Sequence, residues 1–143
     1  MVHALRDACR VLVPDGTLID LRPLATIFRI DAIVGATAFA VGEGDTTASA
    51  EDDRAADRAV ADLEVDGSLV PHRRTQFELH FYWDTTAAMA ADLRAGRRPK
   101  PVTPTYEEID AALRAAAVRT GYAARLRSTR RMMLASYTKS RRR

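Results

Sequence analysis

The chain has 143 residues, of which 22 are basic and 19 acidic, and 47% are hydrophobic. This length and composition predict one globular domain with a single core and argue against a disordered chain. No apolar run approaches the roughly 18 residues that a membrane-spanning helix needs, so we expect no membrane partner. The single cysteine, Cys9, excludes an internal disulfide and a CxxC metal site, and a reducing, cytoplasmic location is expected.

The charges are divided unevenly along the chain. Residues 1–70 carry 6 basic and 13 acidic side chains, whereas residues 71–143 carry 16 basic and 6 acidic ones. Clustered basic residues are typical of surfaces that bind the phosphate groups of a nucleic acid. A solvated acidic helix followed by a basic tail explains the same pattern, and we favour this interpretation.

The first predicted elements are a helix, a tight turn and a short strand. Apolar residues recur every three or four positions over residues 2–12, which favours a helix. Pro14-Asp15-Gly16 then forms a turn, and the β-prone run Thr17–Leu21 is closed by Arg22-Pro23. Helix, turn and strand in this order are typical of the second half of a strand–helix–strand unit.

The remaining patterns predict both strands and helices. In chain order we expect a hairpin over 27–34 and 37–41 with a turn at 42–45, and then a helix to residue 65 that is capped by Thr46 or Thr47. A strand over 75–83 follows, then a helix to residue 95 after Asp84-Thr85-Thr86 and a proline-rich loop over 96–104. The last elements are a helix from Thr105 to Gly121, in which Glu108 completes a capping box, and a strand or hairpin over 122–138.

Residues 4–23 carry the most specific motif. They read Ala-Leu-Arg-Asp-Ala-Cys-Arg-Val-Leu-Val-Pro-Asp-Gly-Thr-Leu-Ile-Asp-Leu-Arg-Pro. This stretch resembles class I S-adenosylmethionine-dependent methyltransferases, in which a helix with a pattern like aREaxRVLxPGG leads into the fifth strand. Asp15 stands where the family usually has the first glycine, and we expect the turn to survive because only Gly16 must be glycine. Residues 130–137 are also similar to the family's last strand, and residues 77–84 to a substrate-side strand.

The resemblance implies an α/β fold, a partial Rossmann-like methyltransferase sheet made of C-terminal strands, one parallel and the rest antiparallel, with flanking helices. Residues 1–138 would form this single domain and residues 139–143 a basic tail. The implied reaction is methyl transfer from S-adenosylmethionine to a small molecule. The family's cofactor-binding segments have no counterpart in this chain, so it is expected to lack the N-terminal cofactor-binding half and to be inactive alone.

The resemblance and the strand patterns point to a few site residues. Asp20 and Arg22 flank the end of the family's fifth strand and are candidates for substrate binding. His80 and Tyr82 share the polar face of a strand, and His80 could act as a general base, although alternation of an apolar and a polar face explains both residues. Trp83 is a candidate substrate contact or a core anchor. No spacing of histidines or cysteines predicts a metal site.

Two other functions remain open from the sequence. One is a non-catalytic module that binds a protein or nucleic-acid partner through its basic C-terminal half; nucleic acid is the less favoured partner because few aromatics interleave with the arginines. The other is a small α+β cone-type ligand-binding protein that uses His80. A sheet edge left without its neighbour also predicts a homodimer or a partner half.

Overall fold

A computed structural model describes residues 2–95 and 100–141. This part of the chain contains four α-helices and a six-stranded sheet, so the α/β class is confirmed. The helices are α1 (Val2–Val11), α2 (Ala50–Val65), α3 (Thr86–Arg94) and α4 (Tyr106–Thr120). The strands are β1 (Thr17–Pro23), β2 (Ile27–Val34), β3 (Thr37–Asp45), β4 (Leu69–Trp83), β5 (Val102–Thr103) and β6 (Arg125–Lys139). None of these helices is long and apolar enough to cross a membrane.

The sheet has the strand order β1-β6-β2-β3-β5, and β4 also pairs with β6. The pairings of β1 with β6, β2 with β3, β2 with β6 and β3 with β5 are all antiparallel. The chain divides into two compact units. The first comprises residues 1–24, 48–77 and 131–143, and the second residues 25–47 and 78–130.

In the first unit, two helices cover one face of the paired strands. β1 pairs with the last part of β6, from Thr17 opposite Thr138 to Pro23 opposite Met132. The buried cluster draws on α1, α2, β4 and β6 and consists of Cys9, Val60, Leu63, Leu69, Met133, Ala135 and Tyr137. Burial of these side chains provides the main free energy that holds the helices against the strands.

The turn that leads into β1 forms as expected although Asp15 stands where the family has glycine. Asp15 has a φ of 62°, in the left-handed region that favours glycine but that aspartate also adopts. Gly16 is required for space, because a Cβ there would lie 2.7 Å from the carbonyl oxygen of Val13. The expectation that only Gly16 must be glycine is therefore confirmed.

In the second unit, a hairpin and two helices enclose a separate core. β2 and β3 are joined at Gly35, which has a φ of 58°, and β2 pairs with the first part of β6 from Arg29 opposite Thr129 to Ile33 opposite Arg125. The core draws on β2, α3, α4 and β6 and consists of Phe28, Ile30, Ala32, Val34, Met89, Leu93, Ile109, Leu113, Ala116 and Leu126.

The local signals at helix starts in this unit are confirmed. The Thr105 hydroxyl accepts a hydrogen bond from the Glu108 N–H, and the Glu108 carboxylate accepts one from the Thr105 N–H, which completes the capping box. The Thr85 hydroxyl caps α3 by accepting from the Ala88 N–H at 3.1 Å. Gly121 ends α4 in the left-handed conformation.

Several predicted boundaries are wrong because a partner strand extends the element. β3 continues through residues 42–45, where a turn was expected, since β2 and β5 pair with it there. β4 begins at Leu69 rather than at residue 75, and residues 125–139 form one strand, not a hairpin. Part of the expected loop over 96–104 forms β5; residues 96–99, like residues 142 and 143 of the tail, lie outside the described residues.

The start of α2 also differs from the prediction. Neither Thr46 nor Thr47 caps this helix, which begins at Ala50 after a short 3-10 turn over Thr47–Ser49. The Thr46 hydroxyl instead donates to the carbonyl oxygen of Thr26 at 2.7 Å and accepts from its N–H at 3.0 Å. The Thr46 hydroxyl, which the local pattern predicted as a helix cap, therefore forms its hydrogen bonds with the distant Thr26.

Candidate ligand cavity beside strand β1

The first unit contains a cavity of about 350 Å³ beside β1. Its apolar wall is formed by Leu5, Pro23, Ala56 and Val60, and its polar wall by Asp20, Arg22, Ser49, Asp52 and Asp53. The volume lies at the lower end of the range of small-molecule binding sites, which combine apolar walls with a few polar groups. The structure therefore brings the predicted pair Asp20 and Arg22 into one cavity.

Strand alternation explains why these two polar residues line the cavity. Successive side chains of a strand point to opposite faces, and in β1 the half-buried face carries Leu18, Asp20 and Arg22. The opposite face carries Ile19 and Leu21, which are 63% and 57% exposed. The strand thus presents Asp20 and Arg22 to its half-buried side and Ile19 and Leu21 to solvent. A strand with one solvent-facing side normally has the opposite arrangement, with apolar residues inside and polar residues outside.

Arg22 is held by groups on β1 and α2. Its Nη1 donates to the carbonyl oxygen of Asp53 at 2.8 Å, its Nη2 contacts the Asp57 carboxylate, and its Nε lies 3.3 Å from Asp20 Oδ2. Both side chains of the Asp20–Arg22 pair are largely buried, with 16% and 14% exposed. These contacts with Asp20, Asp53 and Asp57 fix the position of the Arg22 guanidinium in the wall of the cavity.

The Asp20–Arg22 pair nevertheless leaves two hydrogen-bonding groups unused. Arg22 Nε and Asp20 Oδ2 are both buried without a hydrogen-bond partner, because the N–H does not point at the oxygen. Asp20 Oδ2 is an unused acceptor for a ligand hydroxyl or amine. The wall also contains the carboxylates of Asp52 and Asp53.

The first turn of α2 supplies two of those carboxylates. Glu51, Asp52 and Asp53 occupy the helix N-terminus, where the backbone N–H groups and the helix dipole stabilise negative charge. The sequence pattern marked these residues only as part of an acidic helix. Their position at the start of that helix was a usable signal, but their proximity to β1 depends on tertiary packing.

His80 and Tyr82 belong to the second unit, whereas all the residues that line this cavity belong to the first. His80 Nδ1 is 3.1 Å from the Thr129 hydroxyl, and the Arg125 guanidinium lies 4.9 Å from the centre of the Tyr82 ring. The third aromatic candidate, Trp83, packs against the core of this unit and stacks on Phe81, with ring centres 6.3 Å apart. The position of Trp83 supports its role as a core anchor.

Asp31 is a buried charge that the sequence interpretation missed. It is 2% exposed and accepts from Arg29 Nε at 3.0 Å and from Arg127 Nη2 at 2.8 Å. This hydrogen bond with Asp31 raises the pKa of Arg127 above its usual value. An aspartate within the apolar run of β2, two residues after an arginine, was the available signal.

The comparisons with known proteins add no identification. Protein-family models, curated proteins and solved structures give no match to this chain. Among the described residues, no three His, Cys, Asp or Glu side chains lie together in a way that could hold a metal ion. The functional argument therefore rests on the geometry and on the residues themselves.

Proposed function

We propose that this chain is the C-terminal part of a class I S-adenosylmethionine-dependent methyltransferase sheet and that the cavity beside β1 holds the methyl acceptor. The observation that carries the proposal is the state of β1. Among the described residues it pairs with β6 on one edge only, and its outward side chains Ile19 and Leu21 are more than half exposed. A further strand and a covering layer would use both features.

The order of elements supports the same proposal. α1, the turn at Asp15-Gly16 and β1 follow one another as the family pattern requires. The left-handed φ of Asp15 accounts for the family's glycine at this position. β6 then lies antiparallel to β1 and also pairs with β4, which agrees with the antiparallel strands expected at the end of such a sheet.

The Gly42-Glu43-Gly44 segment does not fit S-adenosylmethionine. The glycines Gly42 and Gly44 lie inside β3, and protein atoms already fill the space beside them. A Cβ on Gly44 would lie 2.0 Å from the Phe28 ring, and one on Gly42 would lie 2.8 Å from the carbonyl oxygen of Thr103. These glycines serve close packing and form no cradle for a cofactor, so we assign cofactor binding to a part of the sheet outside these 143 residues.

The chain's own contribution is to hold and orient the acceptor. Leu5, Ala56 and Val60 would contact its apolar body, and Asp20 Oδ2 would accept a hydrogen bond from its hydroxyl or amine. Arg22 Nε lies 3.3 Å from Asp20 Oδ2 and holds the carboxylate in position.

Binding experiments test the assignment of the cofactor. Isothermal titration of the 143-residue chain with S-adenosylmethionine is expected to give no saturable heat. Saturable binding by the isolated chain would contradict the assignment of the cofactor to another part of the sheet. Recovery of the protein from the cells that produce it, followed by ultraviolet crosslinking to radiolabelled S-adenosylmethionine, is expected to label a larger polypeptide or a partner. Absence of label in every assembly that contains the chain would refute the proposal.

A pair of variants tests the role of β1 in that assembly. Leu21→Lys places a charge on the uncovered face of β1 and is expected to abolish labelling. Val65→Lys is the matched control, because Val65 is 88% exposed at the end of α2 and should leave labelling unchanged. Equal labelling of the two variants would show that the outward face of β1 is not covered in the assembly.

A further inference from the structure

The first unit contains another cavity, of about 360 Å³, beside the end of α2. Its walls come from α1, from the end of α2 and the turn that leads to β4, and from the end of β6. Three of the residues that line it are basic: Arg6 and Arg10 on α1, and Lys139 on β6. The volume is that of a site for a small molecule, so we ask which ligand these side chains would bind.

The geometry of α1 places the two arginines where they can share a ligand. Arg6 and Arg10 are four residues apart, so their side chains leave the same face of the helix about one turn apart. Arg10 Nε lies 3.8 Å from Asp7 Oδ1, but these two side chains are 76% and 72% exposed, and such a solvated pair contributes little. Arg6 forms no ion pair with a carboxylate of the described residues. Both guanidinium groups therefore have N–H donors available to a ligand.

Lys139 supplies a third positive charge, and the fold holds it in place. Its backbone N–H donates to the carbonyl oxygen of Gly16 at 2.9 Å, and its own carbonyl oxygen accepts from the Asp15 N–H at 3.1 Å. Its Nζ donates to the carbonyl oxygen of Leu12 at 2.6 Å and lies 3.5 Å from that of Arg10. These partners are neutral, and no carboxylate of the described residues pairs with the ammonium. Because an ammonium has three N–H groups, one of them remains for a ligand.

Two serines complete the polar wall of this cavity. Ser68 and Ser140 both line it, and the Ser140 N–H donates to the carbonyl oxygen of Ser68 at 2.9 Å, which joins the end of β6 to the turn before β4. The carboxylate in the wall, that of Asp66, accepts from the Ser68 N–H at 2.8 Å, so one of its oxygens is engaged within the turn. The buried side chains of Cys9 and Leu63 form the apolar part of the wall.

We propose that this cavity binds the phosphate group of a small molecule. The donors are three cationic side chains and two hydroxyl groups, those of Arg6, Arg10, Lys139, Ser68 and Ser140. A guanidinium binds phosphate oxygens through two N–H groups, and a phosphate has enough oxygens for several donors at once. A phosphate suits the cavity better than a carboxylate because three cationic side chains line it and only one carboxylate does. The proposal rests on the first unit alone and does not depend on methyl transfer.

Nuclear magnetic resonance of the complete chain tests the site. The labelled protein is titrated with inorganic phosphate, with sodium chloride at equal ionic strength as the reference and sodium acetate as a second probe. Phosphate is expected to shift the backbone amide signals of Ser68, Lys139 and Ser140 saturably, because these residues line the cavity. Acetate, with fewer oxygens and a single charge, is expected to bind more weakly. These readouts need no cofactor, so their failure is distinct from failure of the methyltransferase proposal.

Matched variants decide whether the arginines of α1 bind the phosphate. Arg6→Gln and Arg10→Gln each remove one guanidinium from an exposed position and keep a good helix former there, so both variants should fold. Each is expected to weaken phosphate binding by about tenfold, the effect of losing one charge-assisted hydrogen bond. Arg58→Gln is the control, because Arg58 is exposed on α2 and does not line the cavity, and it should leave the affinity unchanged.

Three results would overturn the inference. One is the absence of any saturable shift with phosphate beyond that seen with chloride. Another is an unchanged phosphate affinity in either variant of α1, or an equal loss in Arg58→Gln, which would show that the overall charge and not the cavity attracts the anion. The third is binding of acetate as tight as that of phosphate, which would assign the cavity to a carboxylate.

Discussion

Gly44→Ala tests how closely the Phe28 ring is packed in the second unit. Gly44 lies opposite Phe28 in the pairing of β3 with β2. A Cβ at Gly44 would lie 2.0 Å from Phe28 Cζ and 2.6 Å from each Cε atom. Non-bonded carbon atoms favour about 3.5–4.0 Å, so the ring would have to retreat by roughly 1.5 Å. Phe28 is buried and the Arg130 guanidinium lies 4.5 Å from its ring centre, so little space is left for this movement.

The expected cost follows from this confinement. Overpacking a core by one methyl group costs typically about 1–3 kcal/mol, and we expect about 3 kcal/mol here because Phe28 is 3% exposed and in contact with Arg130. The assay is equilibrium unfolding in urea, followed by the fluorescence of Trp83, the single tryptophan of the chain. Its stacking on Phe81 places this probe in the same unit as the perturbation.

A double-mutant cycle with Phe28→Ala identifies the cause. Phe28→Ala alone should cost about 3–5 kcal/mol, and Gly44→Ala should then add almost nothing because the ring is gone. Gly35→Ala is the control: it has a φ of 58° and open space around its Cβ position, so its cost of about 1 kcal/mol should be equal in both backgrounds. An equal cost of Gly44→Ala in both backgrounds would refute the reasoning.

Three further outcomes are expected. Thr105→Ala should lower the free energy of unfolding in urea by about 1 kcal/mol. Hydrogen bonds from Thr105 lower the pKa of Glu108, so the stabilisation by the charged Glu108 is present above its usual pKa of 4.5 and should be lost as the pH falls through its lower folded-state pKa. A difference in stability between the two proteins that does not change with pH would contradict this. Cys9 is 6% exposed and burial raises its pKa, so a thiol reagent at pH 7 should react with it only after urea is added, and rapid reaction with the native protein would disprove its burial. In sedimentation velocity the isolated chain should self-associate through β1, Ile19→Lys should restore the monomer and Val118→Lys should not; a monomeric natural chain would count against an adhesive sheet edge.

Local patterns predicted the elements whose signals lie within a few residues. The capping box at Thr105, the cap at Thr85 and the apolar spacing of α1 all act over one helical turn, so the sequence alone reveals them. The alternation of apolar and polar residues over 75–83 predicted β4, because this signal also lies within a few neighbouring residues. The resemblance of residues 4–23 singled out Asp20 and Arg22 as candidates, and their role in substrate binding stays a prediction.

Features that depend on a distant partner were missed. Residues 69–74 show no clear alternation and become strand because β6 pairs with β4. Residues 42–45 resemble a turn in composition but continue β3, since β2 and β5 supply hydrogen-bond partners. The cavity likewise needs α2 beside β1, and the contacts of Arg130 with the Phe28 and Phe81 rings combine β2, β4 and β6.

The sequence by itself determined the α/β class and the order of helices and most strands, because periodicity and capping are properties of neighbouring residues. Only the tertiary structure decided which carboxylates neutralise which arginines: Asp31 pairs with Arg127 and Asp57 with Arg22, whereas the Arg130 guanidinium lies over the Phe28 ring. Those partners lie tens of residues apart in the chain. Burial makes such long-range pairing energetically decisive, and no local pattern carries it.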